Sequence, residues 1–207
     1  GADFRRFLMM LIEQTTVAAA ALPLGQFKDH LRLGTGFADD GSQDALIEAL
    51  LRAAMAAVEG RTGKVLLSRE FAWTMTAWRE VDCQALPVAP VGQLLELKVI
   101  DRGGVETVID AGAYRLESDT HRPKLVANGA QLPAISVGGS AEIRFEAGFG
   151  AAWTAVPPDL GQAVFLLAAH YHEHRDEAAL GDRDMPFGVA GLIERWRTVR
   201  ILGGGQS

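Results

Sequence analysis

The segment from Val156 to Asp176 is the feature that most restricts how this chain can fold. Its sequence is VPPDLGQAVFLLAAHYHEHRD. The two prolines suit a first helical turn, and Asp159 adds a negative charge that favours a helix N-terminus. Apolar residues then recur at the helical spacings i, i+4, i+7 and i+11, namely Leu160, Val164, Leu167 and Tyr171. The pattern predicts a long central helix over about 157–177, whose apolar stripe must be covered by another part of the chain.

Composition limits the kind of protein this is. The chain has 207 residues, of which 48% are hydrophobic and 22% are charged, enough for a sizeable core. The formal charge of −6 argues against a protein that wraps nucleic acid, although a local basic patch is allowed. A single cysteine, Cys83, excludes an internal disulfide and a cysteine-rich zinc site. No apolar run approaches the ~20 residues of a membrane span. We also expect no signal peptide in the N-terminal residues, where Met9 or Met10 is a candidate natural start.

Three further helices are predicted from the same helical spacing, at about 24–33, 43–62 and 189–200. The helix over 43–62 is rich in alanine, and small side chains let another helix approach closely. The helix over 157–177 is the expected neighbour.

Between residues 65 and 149 the apolar period changes from helical to two, which is typical of strands. Ile143 and Phe145 alternate with charged residues, and Arg102-Gly103-Gly104 separates two such runs as a hairpin turn would. We therefore predict an α+β fold: a small helical bundle with an antiparallel β-rich insertion at about 65–149. Residues 1–21 are expected to be a flexible extension, residues 22–200 a single domain, and residues 201–207 a flexible tail.

Candidate chemistry in the sequence is sparse. His170 and His174 lie at i and i+4, so one helix face could carry both imidazoles to a metal, but the sequence supplies no matching third ligand. A polar helix end is the simpler interpretation. Cys83 has no evident activating partner, and there is no phosphate-binding glycine loop. We therefore predict no catalytic residue, no cofactor and no metal site, and the chain is not expected to be an enzyme.

The C-terminal helix is basic and carries a tryptophan. Its candidate binding residues are Arg195, Trp196, Arg197 and Arg200. Arginine and tryptophan are enriched at interfaces, so this surface is a candidate for docking on an acidic partner. The alternative is that Trp196 completes the core while the arginines are solvated.

The order of these segments resembles the head–tail connector (adaptor) proteins of long-tailed bacteriophages, which have close relatives in gene transfer agents, the phage-like particles of bacteria. The resemblance extends from about Leu22 to Arg197. Its strongest run is FEAGFG at 145–150, followed by Val156-Pro157, Asp159-Leu160 and Ala169-His170-Tyr171. His172 and His174 depart from the pattern, which more often has an aromatic residue and an asparagine there.

The resemblance implies a structural protein of the particle neck. Such a protein forms a ring of identical subunits beneath the portal and joins the DNA-filled capsid to a stopper, head-completion or tail-terminator protein. DNA passes through the ring without sequence-specific binding, no membrane is involved, and the C-terminal segment with Arg195, Trp196, Arg197 and Arg200 engages the portal. A regulatory or metal-binding protein, using the basic helix or the His170/His174 pair, is the alternative. The number of subunits in the ring, and whether the source is a phage, a prophage or a gene transfer agent, stay open.

Overall fold

The computed structural model describes residues 9–31, 43–174 and 185–197. This part of the chain contains eight strands and four α-helices. The strands are β1 (Met9–Glu13), β2 (Arg69–Met75), β3 (Cys83–Ala85), β4 (Val91–Ile100), β5 (Glu106–Val108), β6 (Tyr114–Glu117), β7 (Lys124–Ala127) and β8 (Ser140–Ala147). The helices are α1 (Leu24–His30), α2 (Asp44–Thr62), α3 (Pro158–Glu173) and α4 (Phe187–Ile193). The chain divides into two compact units: a β unit, with described residues 9–21 and 65–156, and a helical unit, with described residues 22–31, 43–64, 157–174 and 185–197.

The β unit contains two antiparallel sheets. The larger has the strand order β1-β2-β8-β4-β5, and the smaller has the order β3-β7-β6. Strand β8 lies at the centre of the larger sheet and alternates strictly between half-buried and buried residues. Ile143 and Phe145 are fully buried, whereas Glu142, Arg144 and Glu146 lie on the other face. The alternation predicted from the sequence is therefore confirmed.

Both sheets contribute to one apolar core. Phe71 of β2 stacks on Phe145 of β8 with ring centroids 5.8 Å apart, and Leu125 of β7 is fully buried in the same cluster. Full burial of a side chain of this size contributes roughly 1.5–3 kcal/mol. The shared core explains why the sheet residues alternate so regularly.

In the helical unit, α3 packs against both α2 and α4. Three residues of the predicted stripe, Leu160, Val164 and Leu167, are buried, and α4 contributes the buried Val189 and Ile193. The predicted pairing of the alanine-rich helix with the central helix is confirmed. None of the described helices is both long and apolar enough to cross a membrane.

The α+β class is confirmed, and several boundaries differ from expectation. The predicted flexible extension is wrong for residues 9–13, because these form β1, all five residues of which pair with β2. The last α-helix covers Phe187–Ile193 and is followed by a 3-10 turn over Glu194–Trp196, where a continuous helix over 189–200 was expected. Residues 32–33, 175–177 and 198–200 of the predicted helices, and the tail 201–207, lie outside the described residues.

The first glycine of the FEAGFG run, Gly148, follows β8 directly and stands there for a steric reason. Gly148 has a φ of 138°, and a Cβ placed there would lie 2.5 Å from the Cα of Ser68. Its N–H donates to the carbonyl of Pro90 at 3.0 Å, while the N–H of Ser68 donates to the carbonyl of Gly150 at 2.9 Å. The run therefore brings two backbone segments into contact where no side chain fits.

We predict that Gly148→Ala destabilises the fold by more than about 2 kcal/mol, because both the backbone angle and the contact with Ser68 oppose a Cβ. Gly104→Ala is the matched control: Gly104 also has a positive φ, 83°, but its Cβ would meet nothing within 4 Å. Its cost should stay near 1 kcal/mol. Chemical denaturation of both variants measures the difference, and equal losses would contradict the steric explanation.

Candidate functional site

The C-terminal end of the described chain is held to the beginning of α3. The buried side chains of Val189 and Ile193 fix α4 against α3. The 3-10 turn that follows carries Arg195 and Trp196, and the backbone becomes extended at Arg197. Two of the four predicted binding residues are thereby placed beside the first turn of α3.

A single carboxylate receives both of these side chains. The Oδ2 atom of Asp159 accepts a hydrogen bond from Nε1 of Trp196 at 2.6 Å and lies 2.7 Å from Nε of Arg195. Its Oδ1 atom accepts from the backbone N–H of Leu160 at 3.1 Å. The guanidinium of Arg195 also lies over the Trp196 ring, 5.0 Å from its centroid. We call Asp159, Arg195 and Trp196 the Asp159 cluster.

The electrostatics of the cluster keep Asp159 ionised. Burial alone raises the pKa of this carboxyl, but the hydrogen bonds from Trp196 and Arg195, the charge of Arg195 and the N–H of Leu160 outweigh burial and lower the pKa below 3.8. The position of Asp159 as the second residue of α3 agrees with this, because the positive end of the helix dipole stabilises a carboxylate.

The other predicted binding residues have different surroundings. The Nη1 atom of Arg197 lies 3.2 Å from Oε2 of Glu194, and both side chains are exposed, so this ion pair contributes little. Arg200 lies outside the described residues. Trp196 is half-buried, so it is neither fully in the core nor fully exposed, the two alternatives that the sequence left open. Arg195 and Arg197 are each paired with an acid, which partly balances their charges.

The two candidate metal ligands lie at the other end of α3. The rings of His170 and His174 have centroids 4.2 Å apart, and Nδ1 of His174 is 2.9 Å from the carbonyl oxygen of His170. In the described ranges no third side chain of a metal-binding type joins this pair. His170 instead lines a cavity of about 520 Å³ together with residues of α1, α3 and the start of α4. The remaining lining residues are His30, Leu31, Leu166, Ala169, Glu173, Pro186, Gly188 and Val189.

Cys83 lies beside two acids. Its Sγ atom donates to Oε2 of Glu80 at 3.0 Å, and Asp82 completes a group whose ligand atoms lie within 4.8 Å of one another. The hydrogen bond to Glu80, burial, and the charges of Glu80 and Asp82 raise the pKa of Cys83 to about 11. A thiol held protonated in this way is a poor nucleophile and a poor metal ligand.

Reasoning from the sequence did not find the second role of Asp159. It identified Asp159 as a favourable charge at a helix start, which is correct, but not as the anchor of the C-terminal turn. Asp159 and Trp196 are 37 positions apart, and no periodic pattern connects residues at that separation. Its negative charge in the first turn of the predicted helix was the only available signal.

The chain as a whole is similar to chains of solved gene transfer agent particles. It is similar to a chain in the neck of an empty gene transfer agent (GTA) particle computed with C6 symmetry, at 57% identity and TM-score 0.85. Further matches are a chain of the native GTA virion, at 57% identity and TM-score 0.83, and a chain of the native GTA neck computed with C12 symmetry, at 53% identity and TM-score 0.80. Each match covers 94% of this chain and 98% of the other.

Comparison with protein-family models gives no match, and comparison with curated proteins gives none either. Identity above half of the aligned positions over nearly the whole length is nevertheless decisive. The chain belongs to the head–tail connector family of gene transfer agents, structural proteins of the particle neck. The resemblance inferred from its sequence motifs is thus confirmed.

We predict that Cys83 reacts slowly with iodoacetamide at pH 8. A pKa near 11 in place of 9.0 leaves roughly a hundredfold less thiolate than an unperturbed cysteine has. Glu80→Gln removes the charged acceptor, so Cys83 of this variant should be alkylated faster than Cys83 of the wild type. Mass spectrometry measures the rate of alkylation. Glu48→Gln, in the helical unit, is the control and should leave the rate unchanged. Fast alkylation of the folded wild-type protein would contradict the assigned environment.

We also predict that the Asp159 cluster makes stability depend on pH in the acid range. Because the pKa of Asp159 is lowered in the folded state, its contribution is complete above the unfolded value of 3.8 and is lost as the pH falls through the folded value. Asp159→Asn should cost about 1–3 kcal/mol at neutral pH, the size of a hydrogen bond to a charged group. This deficit should shrink below pH 4. Thermal unfolding across pH measures it, with the exposed Asp29→Asn as control, and a deficit independent of pH would argue against the ionised pair.

Proposed function

We propose that this chain is the adaptor subunit of a particle neck: a non-catalytic structural protein that forms a ring beneath the portal and joins it to the stopper or another tail-side protein. The observation that carries the proposal is the 53–57% identity to neck chains over 98% of their length. TM-scores of 0.85 and 0.80 show that the differences leave the fold in place.

A ring follows from the symmetry of those relatives. Necks computed with C6 and C12 symmetry are cyclic assemblies, and a cyclic ring uses a heterologous interface in which each subunit offers two different faces. The chain has two compact units, one built of strands and one of helices, and these are the proposed sources of the two faces. DNA is expected to pass through such a ring without being gripped, because a net charge of −6 gives phosphate little overall attraction.

The C-terminal segment is the proposed portal contact. Arg195 is 70% exposed and lies on a half-buried tryptophan, and arginine and tryptophan are the residue types that dominate binding energy at interfaces. The segment is held to α3 by the Asp159 cluster, so it meets a partner as an ordered surface. Arg197 and Arg200 extend the same sequence and belong to the proposed contact.

The test mixes the purified chain with the portal ring of the same particle and images the product by electron microscopy. We expect a discrete second ring stacked on the portal. The combined change Arg195→Ala and Trp196→Ala should weaken binding by at least a hundredfold, as loss of two central interface residues does. Arg102→Ala, at an exposed arginine of the β unit, is the control and should bind normally.

Point substitutions are preferable to truncation here, since a cut after Gly188 would also remove the buried Val189 and Ile193 and disturb α3. Absence of a stacked ring with a folded chain and an intact portal would refute the adaptor assignment. Normal binding by the double variant would refute the C-terminal contact alone.

A further inference from the structure

The Asp159 cluster leaves one edge of the Arg195 guanidinium facing outward. A guanidinium is planar and has two edges that can bind a carboxylate with two hydrogen bonds: a side edge that includes Nε, and an end edge formed by Nη1 and Nη2. Asp159 engages Nε at 2.7 Å, which commits the side edge. The Asp159 side chain is 18% exposed and that of Arg195 is 70% exposed. Nε is therefore held, and with 70% of the side chain exposed the end edge is the part left to meet a partner.

Arg195 is also fixed from a second direction. Its guanidinium lies 5.0 Å from the centroid of the Trp196 ring, and the indole N–H of Trp196 donates to the same Asp159 oxygen at 2.6 Å. An arginine side chain carries about 2 kcal/mol of rotamer entropy, much of which is lost when it binds a partner. A side chain already held between a carboxylate and a ring loses less, so the partner binds more tightly.

The held arginine also has a defined charge environment. Asp159 balances its charge in the free protein, and the α3 N-terminus and the Trp196 N–H share in stabilising that carboxylate. A paired arginine attracts phosphate backbones weakly, whereas its end edge still offers two donors in the spacing of a carboxylate. Arg195 is therefore expected to bind a single carboxylate group better than a phosphate backbone.

We propose that Asp159 is a positioning residue that holds Arg195 so that its Nη1–Nη2 edge binds a carboxylate of the portal. The inference rests on the proposed portal contact and specifies its chemistry. Asp159 does not itself touch the portal; it fixes the orientation of the arginine that does. The partner group is an Asp or Glu side chain, or a chain terminus, on the portal surface.

The test measures the affinity of the full chain for the portal ring in a double-mutant cycle. Asp159→Asn keeps an oxygen acceptor for Trp196 but its amide cannot compensate the Arg195 charge, and Arg195→Lys keeps the charge but loses the planar fork. Each change should weaken portal binding roughly tenfold, the size of one hydrogen bond to a charged group. The double variant should be no weaker than Arg195→Lys alone, because both changes remove the same oriented contact.

Glu48→Gln is the matched control. It removes a comparable ion pair, with Arg52 of α2, outside the proposed contact and should change the affinity by less than about twofold. Thermal unfolding of each variant checks that the chain is folded at the temperature of the binding measurement. A purely structural role for Asp159 would lower the melting temperature without the non-additive loss of affinity.

The outcomes separate this inference from the proposed function. If the wild-type chain binds the portal and Asp159→Asn binds equally well or more tightly, the positioning role is wrong while the adaptor assignment stands. Additive losses in the double variant would also overturn it, since Asp159 would then act independently of Arg195. If the folded wild-type chain does not bind the portal, the adaptor assignment is refuted and this inference with it.

Discussion

The β unit depends on the burial of one face of strand β8. This strand is hydrogen-bonded on both sides, to β2 and to β4, and every second residue from Ala141 to Ala147 is buried. A shift of one residue in its register would place Glu142, Arg144 and Glu146 in the core, at a cost that no rearrangement could offset. The register of the three central strands is therefore fixed. Gly148 then ends the strand where the backbone near Ser68 leaves no room for a side chain.

In the helical unit, one residue connects folding with the proposed interface. Asp159 stabilises the start of α3 through its charge, and the same carboxylate holds Trp196 and Arg195. The central helix and the C-terminal turn are consequently coupled, because the charge that favours the helix start also holds the turn that carries the proposed docking surface. An interface built in this way is ordered before its partner arrives, which lowers the entropy lost on association.

Much of the fold could be predicted because it follows from local periodicity. The stripe of Leu160, Val164 and Leu167 indicated a buried helix, and the alternation around Ile143 and Phe145 indicated a sheet; both are observed. The edge strand at Met9–Glu13 was missed, since its exposed residues show no amphipathic pattern and its strand form comes from pairing with β2. The role of Arg195 and Trp196 in binding stays a prediction, and their acid partner, Asp159, was not foreseen.

The sequence by itself determined the α+β class, the positions of the main helices and the central strands, and the family, because apolar spacing and motif order are properties of neighbouring residues. Only the tertiary structure decided that the C-terminal α-helix stops at Ile193, and that Asp159 pairs with two side chains at least 36 positions away. Such contacts depend on how α4 packs against α3. No local pattern encodes them, since their energy arises only when distant segments meet.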